Sequence, residues 1–274
     1  MENAPEAVDP LIARLCIEPS RAVREMIVLA LRKTESDAVM DHAVRLLGSD
    51  DPYIRNEMAA LLQAKGEASL PWLTKAQQHL DPDVRKLALE AACQIPGEHT
   101  ATLLREALSD PDPNVVISAV EIIGGTASQS FREALEQLAR EASSPMLLLA
   151  VIDALGSIGD ERSLQILMEK LGGKGDFSFP IVQAVGKLGD SRHLQFLELH
   201  SETPHLRNEI IDALLNLGRR GKLTELPASW LARIEAWVRN DSPQELKQDC
   251  VALLEGLKSQ PAALSLATQL ANQA

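Results

Sequence analysis

The chain has 274 residues, of which 45% are hydrophobic but only 3% are aromatic. Aliphatic side chains therefore have to form the core, which favours many helix–helix contacts over an aromatic-rich β-sandwich. The formal net charge of −12 disfavours a nucleic-acid-binding surface and favours basic partners.

Three further observations concern the environment of the protein. Three cysteines without close spacing predict neither a disulfide framework nor a zinc knuckle, and favour a reducing compartment. The acidic N-terminus lacks the apolar core of a signal peptide. No apolar run approaches the roughly 20 residues that a membrane span needs. We therefore expect a cytoplasmic protein that does not bind membranes.

A helix start recurs along the chain at intervals of about 30 residues. It consists of an Asp, Ser or Thr, whose side chain accepts a bond from a free amide of the first turn, followed by proline. Proline is tolerated there because its missing N–H had no partner. This pair predicts the starts of helices at Asp51-Pro52, Asp81-Pro82, Asp112-Pro113, Ser144-Pro145, Thr203-Pro204 and Ser242-Pro243.

Each predicted helix carries one apolar residue near its start, here called the anchor, from which other positions in the helix are counted as offsets. Apolar residues return at offsets four, seven and eight, as in Met58, Leu61 and Leu62 after Ile54. This spacing predicts an amphipathic helix, here called an anchor helix. A second apolar-periodic stretch then leads to the next anchor. The eight anchors are Val23, Ile54, Val84, Val115, Leu147, Phe177, Leu206 and Leu246.

One helix pair cannot cover its own apolar face, so neighbouring pairs have to stack and share a core. The predicted fold is all-α: an α-solenoid of about eight helix-turn-helix repeats plus a C-terminal capping helix over Pro261–Leu270. No break in the periodicity divides the chain, so we expect a single domain over residues 1–274. The insertion at residues 218–229 is predicted to form an exposed loop.

Two segments carry a family resemblance. Ala154–Leu167 and Ala184–Leu197 share eight of fourteen residues, and both resemble the LGxIGD signature of HEAT-like repeats, the short class first associated with phycobilin lyase subunits. The segments Asp51–Arg55 and Asp81–Arg85 resemble the Asp-Pro-x-Val-Arg step of the same family. The resemblance implies a helical solenoid over nearly the whole chain. It leaves the function open, since this scaffold hosts adaptors, assembly factors and a few enzymes.

The family pattern has an arginine directly after the anchor, and three repeats depart from it. Val116, Leu148 and Ser178 occupy that position in repeats four to six.

Residues with catalytic or metal-binding potential are scattered. The six histidines include no His-Glu pair, which HEAT-like di-iron hydroxylases use as metal ligands. Residues 172–176 contain glycines and a lysine but lack the preceding strand and the spacing of a phosphate-binding loop. Cys16, Cys93 and Cys250 are whole repeats apart. The sequence therefore predicts no catalytic residue, no cofactor and no metal.

Helical geometry predicts one candidate binding surface. Offsets two, six and nine point away from the packed face, and we expect them to line the concave side of the solenoid. Offset two is apolar in the middle repeats, offset six is mostly acidic, and glycines at offset nine (Gly124, Gly156 and Gly186) would let a ligand backbone approach. The predicted partner-binding groove contains Ile117, Leu149, Phe179, Glu90, Glu121, Asp153, Gln183 and Asp212.

Such a groove favours a non-enzymatic protein-binding scaffold, or an assembly or maturation adaptor, that holds a basic or amphipathic protein segment. Two alternatives stay open. The apolar residues at offset two would instead pack between repeats if the array is strongly twisted. The chain would instead be a lyase-like or glycosylase-like HEAT-repeat enzyme that acts on a bound prosthetic group or on nucleic acid.

Overall fold

The computed structural model describes residues 5–126, 128–239 and 243–271. These residues form 17 α-helices and six short 3-10 helices, without a β-strand among them. The α-helices are α1 Val8–Ile17, α2 Arg21–Lys33, α3 Asp37–Leu46, α4 Pro52–Ala64, α5 Leu70–Ala76, α6 Pro82–Cys93, α7 His99–Ala107, α8 Pro113–Thr126, α9 Arg132–Glu141, α10 Pro145–Ile158, α11 Glu161–Leu171, α12 Ser178–Leu188, α13 Leu194–His200, α14 Arg207–Arg219, α15 Ala228–Arg239, α16 Gln244–Gly256 and α17 Pro261–Ala271.

The chain divides into two compact units, of which the first ends at Ile122 and the second begins at Ile123. In the first unit the anchor helices α2, α4 and α6 pack in sequence, and α1, α3 and α5 form a second layer. In the second unit α10, α12, α14 and α16 pack in sequence, and α9 packs against α11. The two layers in each unit confirm the predicted all-α solenoid fold.

The helices pair differently from the prediction, in which each anchor helix is the first helix of its repeat. Each of α4, α6, α10 and α12 packs more extensively against the helix before it than against the helix after it. In these four cases the anchor helix is the second helix of its pair, whereas α16 packs more extensively against α17 than against α15. Counted in this way, the repeats run from α1/α2 to α15/α16. Under this frame α17 remains as an extra helix that packs on α16 and α15, which confirms the predicted C-terminal capping helix.

Three of the six predicted helix starts have a side-chain cap, and Ser144 precedes α10 without one. Asp51, Asp81 and Asp112 each accept a hydrogen bond from the backbone N–H two residues later, at 2.9, 2.9 and 2.8 Å. Thr203 precedes a 3-10 turn that begins at Pro204, without a side-chain cap, and α14 begins three residues after that proline. Ser242 lies outside the described residues.

The residue directly after the anchor holds the turn that precedes the anchor helix. Arg24, Arg55 and Arg85 each donate to the backbone carbonyl six residues earlier, at 2.8, 2.6 and 2.9 Å, and so fix the preceding turn. Val116 and Leu148 occupy this position in repeats four and five and are buried. Aliphatic packing therefore replaces the arginine hydrogen bonds in these two repeats.

The prediction of an exposed insertion loop is confirmed in part, because residues 220–227 connect α14 to α15 and are exposed except for Leu223 and Leu226. The helices α14 and α15 take up both ends of the insertion, and Leu223 and Leu226 in the remaining connection are buried. The side chain of Gln260 donates to the Leu226 carbonyl at 2.7 Å and accepts from its N–H at 2.9 Å. The two leucines therefore attach an otherwise exposed connection to the core.

No helix in the described part of the chain combines the length and the apolar character needed to cross a membrane.

Candidate functional site

The predicted apolar residues at offset two lie outside the core. In the second unit Leu149 on α10 is 40% exposed and Phe179 on α12 is 43% exposed. In the first unit Ile117 on α8 is half-buried. The neighbouring Leu148 is buried, so α10 directs one leucine into the core and the next toward solvent. Leu149 and Phe179 thus present apolar surface on two anchor helices that pack against each other.

The polar residues at offset six border this surface in the second unit. Asp153, Gln183 and Asp212 are all exposed. The Nζ atom of Lys187 lies 3.4 Å from Oδ1 of Asp153, which links α12 to α10. The Nε2 atom of Gln183 donates to Oε2 of Glu209 at 2.9 Å, which links α12 to α14. The residues at offset six therefore lie along the joints between consecutive anchor helices.

Asp212 lies near more carboxylates than cations. Partial burial raises its pKa, the nearby carboxylates of Asp249, Glu209 and Glu245 raise it further, and Arg219 lowers it. A cavity of about 360 Å³ beside Asp212 is lined by Gln183, Lys187, Glu209, Asp212, Ala213, Asn216 and Arg219. Because carboxylates crowd this part of the surface, a cationic group placed there would relieve their mutual repulsion.

The remaining predicted groove residues belong to the first unit. Glu90 is half-buried on α6 and accepts a hydrogen bond from Oγ of Ser118 on α8 at 3.2 Å. Glu121 is exposed on α8. The pair Glu90–Ser118 repeats the arrangement of Gln183 and Glu209, because offset six of one anchor helix again meets offset three of the next.

The glycines at offset nine do not form a ligand-facing surface, and that prediction is wrong. A Cβ atom on Gly186 would lie 2.7 Å from the Cα of Ala213, and one on Gly124 would lie 3.0 Å from the Cα of Ala154. Gly156 is covered by the aliphatic chain of Lys187. These glycines instead allow the next anchor helix to approach closely.

The cysteines do not provide a reactive thiol in the core. Burial raises the pKa of Cys93 to about 11 and that of Cys250 to about 12, so both thiols stay protonated and weakly nucleophilic at neutral pH. Cys16 is exposed. Within residues 5–126, 128–239 and 243–271, no three His, Cys, Asp or Glu side chains lie close enough together to hold a metal ion.

Histidines with identifiable contacts have structural roles. Nδ1 of His193 accepts a hydrogen bond from the backbone N–H of Asp190 at 3.1 Å and closes a capping box. Nε2 of His42 lies 2.7 Å from the Asp9 carboxylate, which ties α3 to α1.

One surface cleft was missed by the offset analysis. On α11 and α13, a cavity of about 520 Å³ is lined by Met168, Arg192, His193, Gln195, Phe196, Glu198 and Leu199. Leu199 is 76% exposed. The offsets were counted from anchors, which lie on the other layer of helices, so the pattern carried no information about this side.

The chain is similar to several known proteins. The chain is 27% identical over 158 residues to the uncharacterized phycocyanin operon protein Z of Pseudanabaena tenuis, an alignment that covers 54% of this chain and 78% of that protein. Among solved structures, human deoxyhypusine hydroxylase is 18% identical with a TM-score of 0.34, covering 93% of this chain and 97% of the other. The CpcE–CpcF complex of phycocyanin lyase from Nostoc sp. is 20% identical with a TM-score of 0.43, covering 85% and 92%.

The profile of the family described as HEAT repeats matches residues 40–118 and 101–177. Together the two matches span half of the chain, and they include the Asp-Pro helix starts at Asp51, Asp81 and Asp112. This chain therefore belongs to the HEAT-repeat family.

Proposed function

We propose that this protein is a non-enzymatic scaffold that binds a basic, amphipathic segment of a partner protein along the anchor helices of its second unit. One observation carries the proposal: Leu149 and Phe179 expose large apolar side chains on helices whose neighbouring offset carries the acidic groups Asp153 and Asp212. The same offset holds Glu25, Asn56 and Lys86 in the first three repeats, so exposed apolar groups at this position are particular to the middle of the array.

The apolar contacts contribute a modest part of the binding free energy. Full burial of a leucine or phenylalanine side chain stabilises by about 1.5–3 kcal/mol. Because only 40% and 43% of Leu149 and Phe179 remain exposed, each contributes about 1 kcal/mol. This is too little for tight binding on its own, since association also orders the partner segment.

The acidic groups select the partner. Asp153 already pairs with Lys187, whereas Asp212 faces the carboxylates of Glu209 and Asp249. A lysine or arginine of the bound segment would therefore gain most next to Asp212. Such exposed charges mainly set association rate and specificity, and their effect weakens with added salt.

A synthetic peptide tests this surface. The probe is a fluorescein-labelled helical peptide with leucines on one face and lysines on the other. Its counterpart carries glutamate in place of lysine. We expect fluorescence anisotropy to show that the basic peptide binds, and that the double variant Leu149→Asp, Phe179→Asp weakens binding by more than about tenfold, as loss of about 2 kcal/mol implies.

The matched control is Leu199→Asp, which places a carboxylate on an exposed leucine of α13 in the same unit. This variant should bind the basic peptide as the unmodified protein does. The proposal fails if the double variant still binds normally, or if Leu199→Asp weakens binding equally. Circular dichroism of each variant establishes that the helices are retained.

The sequence relative suggests which protein to test as a partner. Its name places it in a phycocyanin operon, so we propose phycocyanin as the first candidate, with the present chain as an assembly or maturation adaptor in the cytoplasm. The second candidate function is a lyase-like activity on a prosthetic group, which the resemblance to short HEAT-like repeats leaves open.

One experiment separates the two candidate functions. Phycocyanin subunits without bilin are incubated with free bilin, with and without this protein. An adaptor forms a complex with the subunits but leaves the rate of covalent bilin attachment unchanged. A lyase accelerates the attachment, which bilin absorbance on the denatured subunit would report.

A further inference from the structure

The apolar surface of the second unit extends beyond the predicted groove residues. Met146 on α10 is 65% exposed. It lies three residues before Leu149, so both side chains are on the same side of the helix. Together with Phe179 on α12 they form what is here called the apolar patch. The patch is confined to α10 and α12, because no large apolar side chain among the described residues of α14 and α16 is exposed.

The helices that carry the apolar patch offer no unpaired carboxylate. The acidic residue of α10 is Asp153, whose Oδ1 lies 3.4 Å from Nζ of Lys187. The helix α12 contains neither Asp nor Glu, and its offset six is the uncharged Gln183. In the turn before α12, one exposed lysine, Lys174, balances one exposed aspartate, Asp176. The surroundings of the patch therefore have no excess of negative charge.

The unpaired carboxylates of this surface lie on the next two anchor helices. Glu209 and Asp212 are on α14, and Glu245 and Asp249 are on α16. Besides partial burial, the other three carboxylates raise the pKa of Asp212, so the four groups lie near one another. Arg219 lowers that pKa, yet none of the four forms an ion pair with a Lys or Arg of the described residues. These four residues are here called the acidic patch.

The order of the helices separates the two patches. The helix α10 packs on α12, α12 on α14, and α14 on α16. The apolar patch is therefore centred on the first two of these helices and the acidic patch on the last two. Axes of packed helices are about 8–10 Å apart, so two such steps place the patch centres about 16–20 Å apart.

We infer that the partner segment is bipartite: an apolar block covers Met146, Leu149 and Phe179, and a separate basic block faces the acidic patch on α14 and α16. This bipartite segment depends on the proposed function, to which it adds the order of residues in the partner. Charge complementarity selects lysine or arginine for the second block, because the acidic patch lacks cations of its own. The segment crosses the anchor helices, since each patch spans two of them.

A designed peptide tests this order. The fluorescein-labelled probe, here called the block peptide, joins a block of leucine and phenylalanine to a block of lysine through a flexible Gly-Ser linker. The block centres are about eight residues apart, a distance that a flexible chain spans at about 16 Å on average. Both chain directions are made, and the tighter binder is used. The comparison peptide, here called the alternating peptide, has the same composition with apolar and basic residues interleaved.

The block peptide should bind the intact protein about tenfold more tightly than the alternating peptide in fluorescence anisotropy. Interleaving places lysines over the apolar patch and apolar residues over the acidic patch, so each patch meets fewer suitable side chains. The alternating peptide should still bind, because it keeps some contacts of both kinds.

Two variants test the two patches separately. Met146→Ser should weaken binding of the block peptide about tenfold, because it removes apolar contact area. Its matched control is Met26→Ser, since Met26 is also 65% exposed but belongs to the first unit. Glu245→Gln should weaken binding severalfold at low salt. Its matched control is Glu133→Gln, which removes an exposed carboxylate from α9 in the other layer of the second unit. Both controls should bind as the unmodified protein does.

The two peptides keep the bipartite segment and the proposed function apart. Equal binding of the block and alternating peptides overturns the bipartite segment, and the proposed function stands if the double variant at Leu149 and Phe179 still weakens both. The bipartite segment is also overturned if Met146→Ser binds the block peptide as Met26→Ser does, or if Glu245→Gln binds it as Glu133→Gln does. If the intact protein binds neither peptide, the proposed function fails and the bipartite segment fails with it.

Discussion

Gly186 sets the distance between α12 and α14, and replacing it with alanine tests the packing of the second unit. The added methyl group would lie 2.7 Å from the Cα of Ala213 and 3.1 Å from its Cβ, whereas ordinary van der Waals contact begins at 3.4 Å. The first of these contacts is with backbone, so the whole of α14 has to shift. Overpacking of this kind costs about 1–3 kcal/mol.

Alanine also has a higher helix propensity than glycine, which returns about 1 kcal/mol. We therefore expect Gly186→Ala to lower the free energy of unfolding by up to about 2 kcal/mol, measured by urea titration with circular dichroism. The matched control is Gly218→Ala on α14, where an added Cβ has no neighbour within 4 Å. That variant should be as stable as the unmodified protein or more stable. Equal stability of the two variants would refute the close-approach argument.

Three further predictions concern charge and burial. Arg85 holds the pKa of Asp110 below its usual value through a hydrogen bond and a nearly buried ion pair. We expect Arg85→Ala to lower the free energy of unfolding of the first unit by about 3 kcal/mol in urea titration. A loss below about 1 kcal/mol would contradict this. Asp212 has a raised pKa, so ionisation of its carboxyl group opposes folding. We expect Asp212→Asn to raise the melting temperature at pH 7 but not at pH 3. An equal increase at both pH values would refute the raised pKa of Asp212. In the native protein at pH 8, maleimide should label Cys16 rapidly and Cys250 only after denaturation. Burial raises the pKa of the Cys250 thiol and shields it from the reagent. Rapid labelling of Cys250 in the native protein would disprove its burial.

Local features of the fold were predictable from the sequence. Asp51 and Asp81 were identified as helix starts because capping depends on residues within one turn of each other. The periodicity after each anchor likewise identified the buried side of most helices. The frame of the repeat was not determined by this pattern, because a strictly alternating series of helices has two equivalent ways of being paired.

Features that depend on neighbouring helices were not predictable. Val23 follows the anchor pattern, yet it is exposed, whereas the seven later anchors are buried. Gly186 was assigned to a ligand surface because its offset gives a direction on the helix but not the distance to Ala213. Helical direction pointed Leu149 and Phe179 away from the packed face but left packing between repeats open, and the structure shows both side chains exposed.

Hydrogen bonds between the connection before α15 and the connection before α17 affect how this end of the array unfolds. Helical arrays fray from their ends, one repeat at a time, because each repeat is held only by its neighbours. Here Gln260 in the connection before α17 exchanges two hydrogen bonds with the backbone of Leu226 in the connection before α15. The hydroxyl of Ser259 also donates to the carbonyl of Thr224 at 3.1 Å. We expect amide exchange in α15, α16 and α17 to proceed through one shared opening event, so that the last segment of the protein melts as a block.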